Sequence, residues 1–167
     1  DGPLDMRMDQ TQTLTANEVV NTYSEAQLVD LLRRYGEEPK ALQIARNIIR
    51  SRPLNSTTQL ATIAARAWPG HSKQHPATRT FQAIRVAVND ELRQIRGSLP
   101  NWVSLLGPGG RLAVISFHRL EDRLVKNYFS DNSFGYEAEL TVLTKKPVTA
   151  SHLEIVSNPR SRSARLR

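Results

Sequence analysis

Three groups of residues in this chain have types and spacing that could do chemistry. The first opens it. Asp1-Gly-Pro-Leu-Asp-Met-Arg-Met-Asp9 alternates carboxylates with methionines around one arginine and holds a Gly-Pro turn. Asp5, Arg7 and Asp9 either satisfy one another in a structural loop or border a cleft and face a polar ligand. The second group is Ser116-Phe-His118, where an apolar run ends and a helical pattern begins. In open α/β sheets ligands sit beyond the carboxyl ends of strands, so His118 stands either in a site or as a structural cap. Glu121 and Asp122 follow in the first helical turn, where acids complement the dipole. The third group, His75-Pro-Ala-Thr-Arg-Thr-Phe-Gln82 running on to Arg85 and Asn89, puts bases, hydroxyls and an aromatic ring at a helix entrance. Backbone N–H groups there bind anions, and Arg79 could pair with a phosphate. Phe81 reads as core, and Asn89 as a buried side chain paired to backbone.

Other chemistries are excluded. With no cysteine there is no disulfide, thiol nucleophile or cysteine-ligated zinc. His71, His75, His118 and His152 lack metal-ligand spacing; the first two lie four residues apart but in a loop beside Gly70 and Pro76. No nucleophile elbow or P-loop is present. Gly107-Pro-Gly-Gly110 precedes a strand pattern instead of following one, so it is no dinucleotide cradle.

The elements that must position these groups follow from caps and periodicity. Thr15-Ala-Asn-Glu18, Ser24-Glu-Ala-Gln27 and Ser56-Thr-Thr-Gln59 are capping boxes, each followed by apolar residues at helical spacing. Gly36 reads as the stop of the second helix. Pro39 suits a first-turn position for a third, whose stripe of Ala41, Ile44, Ala45, Ile48 and Ile49 ends at Pro53. Phe81, Ile84, Val88, Leu92 and Ile95 mark one long helix from about Ala77 to Arg96. Beyond it the grammar changes. A helical Leu99–Leu106 leads through the glycine turn into Arg111–Phe117, a run with the pattern of a strand covered on both faces. Leu120–Phe129 is helical, Tyr136–Thr144 alternates as a weak strand, Ser151 would cap a short helix, and Ser163–Arg167 closes as a last strand. Helix, turn, buried strand and helix form the grammar of an open α/β sheet.

At 167 residues the chain can bury a real core, and 39% hydrophobic with 23% charged residues is ordinary globular usage. No apolar run is long enough for a membrane span. Charge is the informative part. The net value is +7, and from Pro39 to Asn89 there is no acid against eight bases: Lys40, Arg46, Arg50, Arg52, Arg66, Lys73, Arg79 and Arg85. Arg160, Arg162, Arg165 and Arg167 form a second patch at the end. Clusters of this kind neutralise phosphates and release counterions, which favours nucleic acid over a solvated surface or an anionic membrane.

Taken in order, the opening nonapeptide, Tyr35-Gly-Glu-Glu38, His75–Ala83, Pro108-Gly-Gly-Arg111, Ser116-Phe-His-x-Leu-Glu-Asp122 and Asn158-Pro-Arg-x-Arg-Ser163 resemble the RsmH (MraW) family along essentially the whole chain. Members are S-adenosylmethionine-dependent methyltransferases acting on a cytidine exocyclic amine in small-subunit ribosomal RNA. The resemblance implies an α/β fold, a partial class I (Rossmann-like) methyltransferase sheet with an all-helical insert domain. Its expected divisions are a loop bordering the active site (1–14), the helical insert (15–96) and the back half of the sheet domain (97–167). It places the S-adenosyl-L-methionine residues upstream of Asp1, so no cofactor-binding residue is expected here. Asp5, Arg7, Asp9 and His118 become pocket candidates, and Lys73, His75, Arg79, Arg85, Arg160 and Arg162 RNA-binding candidates. Small-subunit RNA, the family's N-terminal half and a homodimer mate are the implied partners, in a cytoplasmic setting. A stand-alone RNA-binding module or pseudoenzyme without the cofactor half is the rival reading.

Overall fold

In the computed structural model, which describes residues 1–70, 75–136 and 138–167, side-chain caps start helices where the sequence places them. Helix α1 (Ala16–Thr22) begins after Thr15, whose hydroxyl accepts the Glu18 N–H. Complete capping boxes, Ser24 with Gln27 and Ser56 with Gln59, open α2 (Glu25–Gly36) and α4 (Thr57–Ala65). Helix α3 (Ala41–Arg50) has no side-chain N-cap. Pro39 lies ahead of it, and Glu38 supplies the acceptors instead: its Oε1 takes the Lys40 N–H and its carbonyl the Ala41 N–H. Leu28, Leu32, Ile44, Ile48, Leu60 and Ile84 are fully buried between these helices and α5 (Thr78–Asn89). Each contributes about 1.5–3 kcal/mol of burial.

Two helix ends differ from the sequence reading. Gly36 is not the stop but the last helical residue, and Glu37 takes the left-handed conformation (φ 46°) that ends α2. Gly36 serves packing: a Cβ there would lie 2.7 Å from the Arg79 carbonyl oxygen and 3.1 Å from the Ala83 Cβ, so α2 and α5 cross at backbone distance. The long helix is also divided. Asp90 adopts φ 49°, ending α5 and starting α6 (Glu91–Ser104). Apolar spacing carries across this break because one left-handed residue interrupts the helical backbone without changing residue types. The chain separates into two compact units, Asp1–Glu91 and Leu92–Arg167.

The second unit is mixed. After α6, the Gly110 N–H donates to the Gly107 carbonyl in a tight turn, with Gly109 at φ 78°. Strand β1 (Ile115–Ser116) leads into α7 (Arg119–Asp131), followed by β2 (Val148–Thr149), α8 (His152–Ser157), a 3-10 turn (Pro159–Ser163) and β3 (Arg165–Leu166). The sheet order is β1-β3-β2, and β3 is antiparallel to both neighbours. Strands β1 and β2 are therefore parallel to each other and joined through α7, a split β-α-β unit of α/β type.

The expectation of a strand buried on both faces is corrected here. Ser116 is buried while Ile115 and Phe117 are 58% and 55% exposed, the alternation of a strand covered on one face only. The strand expected at Tyr136–Thr144 is likewise absent among the described residues. There the Ala138 N–H bonds to Gly135 and the Leu140 N–H to Asn132, tying the segment to the end of α7.

Replacing Gly36 by alanine should drive α2 and α5 apart and destabilise the chain by about 1–3 kcal/mol, against the small gain expected for alanine in an open helix. Urea unfolding followed by circular dichroism measures it; an unchanged midpoint would mean that the crossing has slack.

Candidate functional site

The opening loop is held by groups that helices cannot satisfy themselves. The first N–H groups of a helix lack internal partners. Here the Ala16 and Asn17 N–H groups of α1 donate to the carbonyls of Asp5 and Leu4 at 2.8 and 2.6 Å. The Thr57 N–H of α4 donates to Gly2, and the Gly2 N–H returns a bond to the Thr57 hydroxyl. Leu4 is buried in the helical core as the loop's apolar anchor.

Arg7 and Asn89 fix the rest of the loop. Arg7 uses every guanidinium N–H within it: Nε and one terminal nitrogen reach the two Asp5 oxygens at 2.7 and 2.9 Å, and the remaining donors reach Gln10 and the carbonyl of Gln12. The guanidinium and the Arg7 N–H hold the Asp5 carboxyl down at about 2. Asp9 is different. Its Oδ1 accepts the N–H and hydroxyl of Thr11, which lowers its pKa, and the carboxylate stands exposed. Met6 between them takes φ 62°, a costly conformation for a side chain with a Cβ. Asn89 stabilises it. Its Nδ2 donates to the carbonyls of Met6 and Arg85, and its Oδ1 accepts from the Met8 N–H and from Gln12. The sequence reading pairs Asn89 to backbone but misses that the backbone is this loop's.

In the second unit His118 is the N-cap of α7, its Nδ1 accepting the Glu121 N–H at 3.4 Å. Glu121 answers by accepting the N–H groups of Phe117 and His118, and lies 3.4 Å from the His118 Nε2. Asp122 does more than complement the dipole. It is buried and bridges to Arg165 at 3.0 Å and Arg167 at 2.6 Å, so its carboxyl is held below the usual range, chiefly by Arg167. The two terminal arginines that read as part of a basic patch are thus a clamp on β3. An Arg-x-Arg strand facing an acid one turn into a helix is the available signal.

The RNA-binding candidates separate by surroundings. Arg85 forms a bidentate pair with Glu91 at 2.7 and 3.0 Å. Arg79 is exposed at the entrance of α5, 3.4 Å from the Glu37 carbonyl, and the His75 Nδ1 accepts the Ala77 N–H. Arg160 and Arg162 are exposed on the 3-10 turn. Lys73 lies outside the described residues.

Two measurements check this loop. Above pH 3.8, the ordinary value for the carboxyl, the Asp5–Arg7 pair contributes in full, and its contribution is lost as pH falls through about 2. Carboxyl carbon shifts in an NMR titration should show Asp5 protonating at about 2; a midpoint near 3.8 would break the assignment. Asn89→Ala should cost about 1–3 kcal/mol and speed amide exchange at Met8 while α5 stays helical by circular dichroism.

The MraW methylase family matches the chain over residues 1–167. Proteins named Ribosomal RNA small subunit methyltransferase H are similar along all of it. The one from Cyanothece sp. is 55% identical, with 100% of this chain and 55% of that protein covered. The one from Rippkaea orientalis is 50% identical, covering 100% and 54%. That from Syntrophus aciditrophicus is 48% identical, covering 100% and 59%. The chain spans about half the length of the curated relatives it matches. A full-length family match, and half or more of the positions shared with two of these bacterial proteins, settle the lineage: the chain belongs to the MraW methylase family.

Proposed function

We propose that this chain is the RNA-binding and pocket-bordering part of an S-adenosylmethionine-dependent enzyme that methylates the N4 amine of a cytidine in small-subunit ribosomal RNA, in the cytoplasm. The observation that carries the proposal is the match to the MraW methylase family along the whole chain, with relatives named for the small-subunit RNA. The charge distribution agrees with it, and no helix among the described residues is long and apolar enough to cross a membrane. The split β-α-β unit fits the back half of a class I methyltransferase sheet.

The chemistry asks for particular things. A cytosine amine is a weak nucleophile because its lone pair is delocalised into the ring. The base must leave its stack, be held in line with the methyl donor and find acceptors for its N–H protons. Among the pocket candidates, Asp9 is an ionised, exposed carboxylate held at one oxygen by Thr11, which suits an acceptor role. Asp5 and Arg7 act by fixing the loop that presents it. His118 stays a pocket candidate through its position at the carboxyl end of β1, with its Nδ1 already engaged by the cap.

The described residues do not fit a cradle for the methyl donor. A strand leading through a glycine-rich turn into a helix is needed, and the turn from β1 into α7 is Phe117-His118, while the glycines at 107–110 precede β1. In this reading the donor is held by residues that the chain does not supply. The rival reading is an RNA-binding module without methyl transfer.

The test separates the two. Calorimetric titration of the purified chain with S-adenosylmethionine should show no binding, and micromolar binding would overturn the division of labour. The full-length gene product, given tritiated donor and isolated small subunits, should label RNA; no label with intact RNA binding would leave the module reading. Arg79→Glu and Arg162→Glu should each weaken RNA binding and lower the slope of log affinity against log salt by about one.

A further inference from the structure

We infer that the outward face of α3, built from Gln43, Arg46, Asn47 and Arg50 with Lys40 at its entrance, is a contact surface for the phosphate backbone of RNA; this rests on the RNA-directed function proposed above. The structure sorts the bases of the acid-free stretch by what they touch. Arg52 is taken inward: its Nε donates to the Val20 carbonyl at 2.7 Å and its terminal nitrogen to Tyr23. Arg85 faces the Glu91 carboxylate. Arg46 and Arg50 point the other way. Both are exposed on α3, whose opposite face (Ala41, Ile44, Ala45 and Ile48) is completely buried.

Position 43 stands at i, 46 at i+3, 47 at i+4 and 50 at i+7, so these side chains share one side of the helix. They line a shallow groove of about 390 Å³ together with Pro39, Lys40 and Leu42. Guanidinium and amide groups are the donors that phosphate oxygens take. Arg46 and Arg50 lie one turn apart, about 6 Å of rise, the scale on which successive phosphates follow along a strand. Leu42, 40% exposed, adds an apolar surface for a ribose or base.

Among the described residues one acid pairs with this face. Glu25 of α2 lies 3.3 Å from the Arg46 Nε, with both side chains about half exposed. An exposed pair of this kind holds only about 0.2–1 kcal/mol, so a phosphate can replace the carboxylate. Arg50 has no acid partner among the described residues, and Lys40 sits 5.9 Å from the centre of the Trp68 ring with its backbone fixed by Glu38. The face is thus preset by α3 and Glu38; Arg46 and Lys40 are held there only by exposed contacts, to Glu25 and to the Trp68 ring.

The experiment is fluorescence anisotropy of the purified chain with a labelled small-subunit RNA fragment across a potassium chloride series. Arg46→Gln/Arg50→Gln should weaken binding at least about tenfold and lower the salt slope by about two, one for each phosphate no longer neutralised. Glu25→Gln, which frees Arg46, should tighten binding about two- to fivefold. Circular dichroism melts confirm folding, and single Gln variants replace the double one if it melts early. Parent-like affinity and slope in a folded double variant overturn this face while leaving the RNA reading intact. A parent chain that binds no RNA overturns both. Loss of binding to phosphatidylglycerol vesicles with unchanged RNA binding overturns the assignment to RNA.

Discussion

The candidate site depends on unfinished hydrogen bonding at helix ends. A helix cannot satisfy its first N–H groups, and in this chain the opening loop supplies the missing acceptors for α1 and α4. That arrangement determines the path of Asp1–Asp5. What remains of the loop would be free to wander, and Met6 would leave its left-handed conformation, were it not for Asn89 at the last turn of α5. Helix starts hold one end of the loop and a helix finish holds the other. The carboxylates of Asp5 and Asp9 then sit on a frame whose rigidity comes from packed helices, and Arg7 converts one of them from a reactive group into a brace.

The second unit reaches a comparable result with charge. Three two-residue strands make few ladder bonds, and β3 needs another tie. Asp122 provides it by taking two guanidinium groups at a buried position, where an unpaired carboxylate would be strongly disfavoured. Because Asp122 follows the cap formed by His118 and Glu121, the turn after β1 and the strand that pairs with β1 are fixed by residues within one turn of each other. His118 is consequently both a cap and a candidate, and the cap settles its orientation before any ligand arrives.

How much of this is legible in the sequence follows from the range of each interaction. Thr15, Ser24, Ser56 and Ser151 announce their helices because capping acts over three residues. The stops are harder. Glu37 and Asp90 take left-handed conformations that no residue pattern requires of an acid, so pattern alone puts a stop at Gly36 and joins α5 and α6 into one helix. The docking of the loop is invisible for a different reason: Asn89 lies about eighty residues from its partners, and nothing local marks a distant carbonyl. The same holds for Asp122 with Arg165 and Arg167. Family resemblance reaches further than pattern, since it compares whole constellations, but it does not say which arginine is a brace.

That last distinction governs what basic residues imply. Counted along the chain, Arg46, Arg50, Arg52 and Arg85 are equal contributors to an acid-free stretch. Sorted by partner they are not. A guanidinium whose donors already meet carbonyls or a carboxylate must give those bonds up before it can meet a phosphate, and the exchange gains little. One that is exposed, or paired only across solvent, gives up little and can release a counterion from the nucleic acid on contact. In the RNA-binding function proposed above, net charge would draw RNA toward the whole unit, while uncommitted donors would decide where it settles. On α3 the apolar stripe that builds the core and the cations that face outward belong to the same ten residues, so the packing that folds the helix also orients its charge.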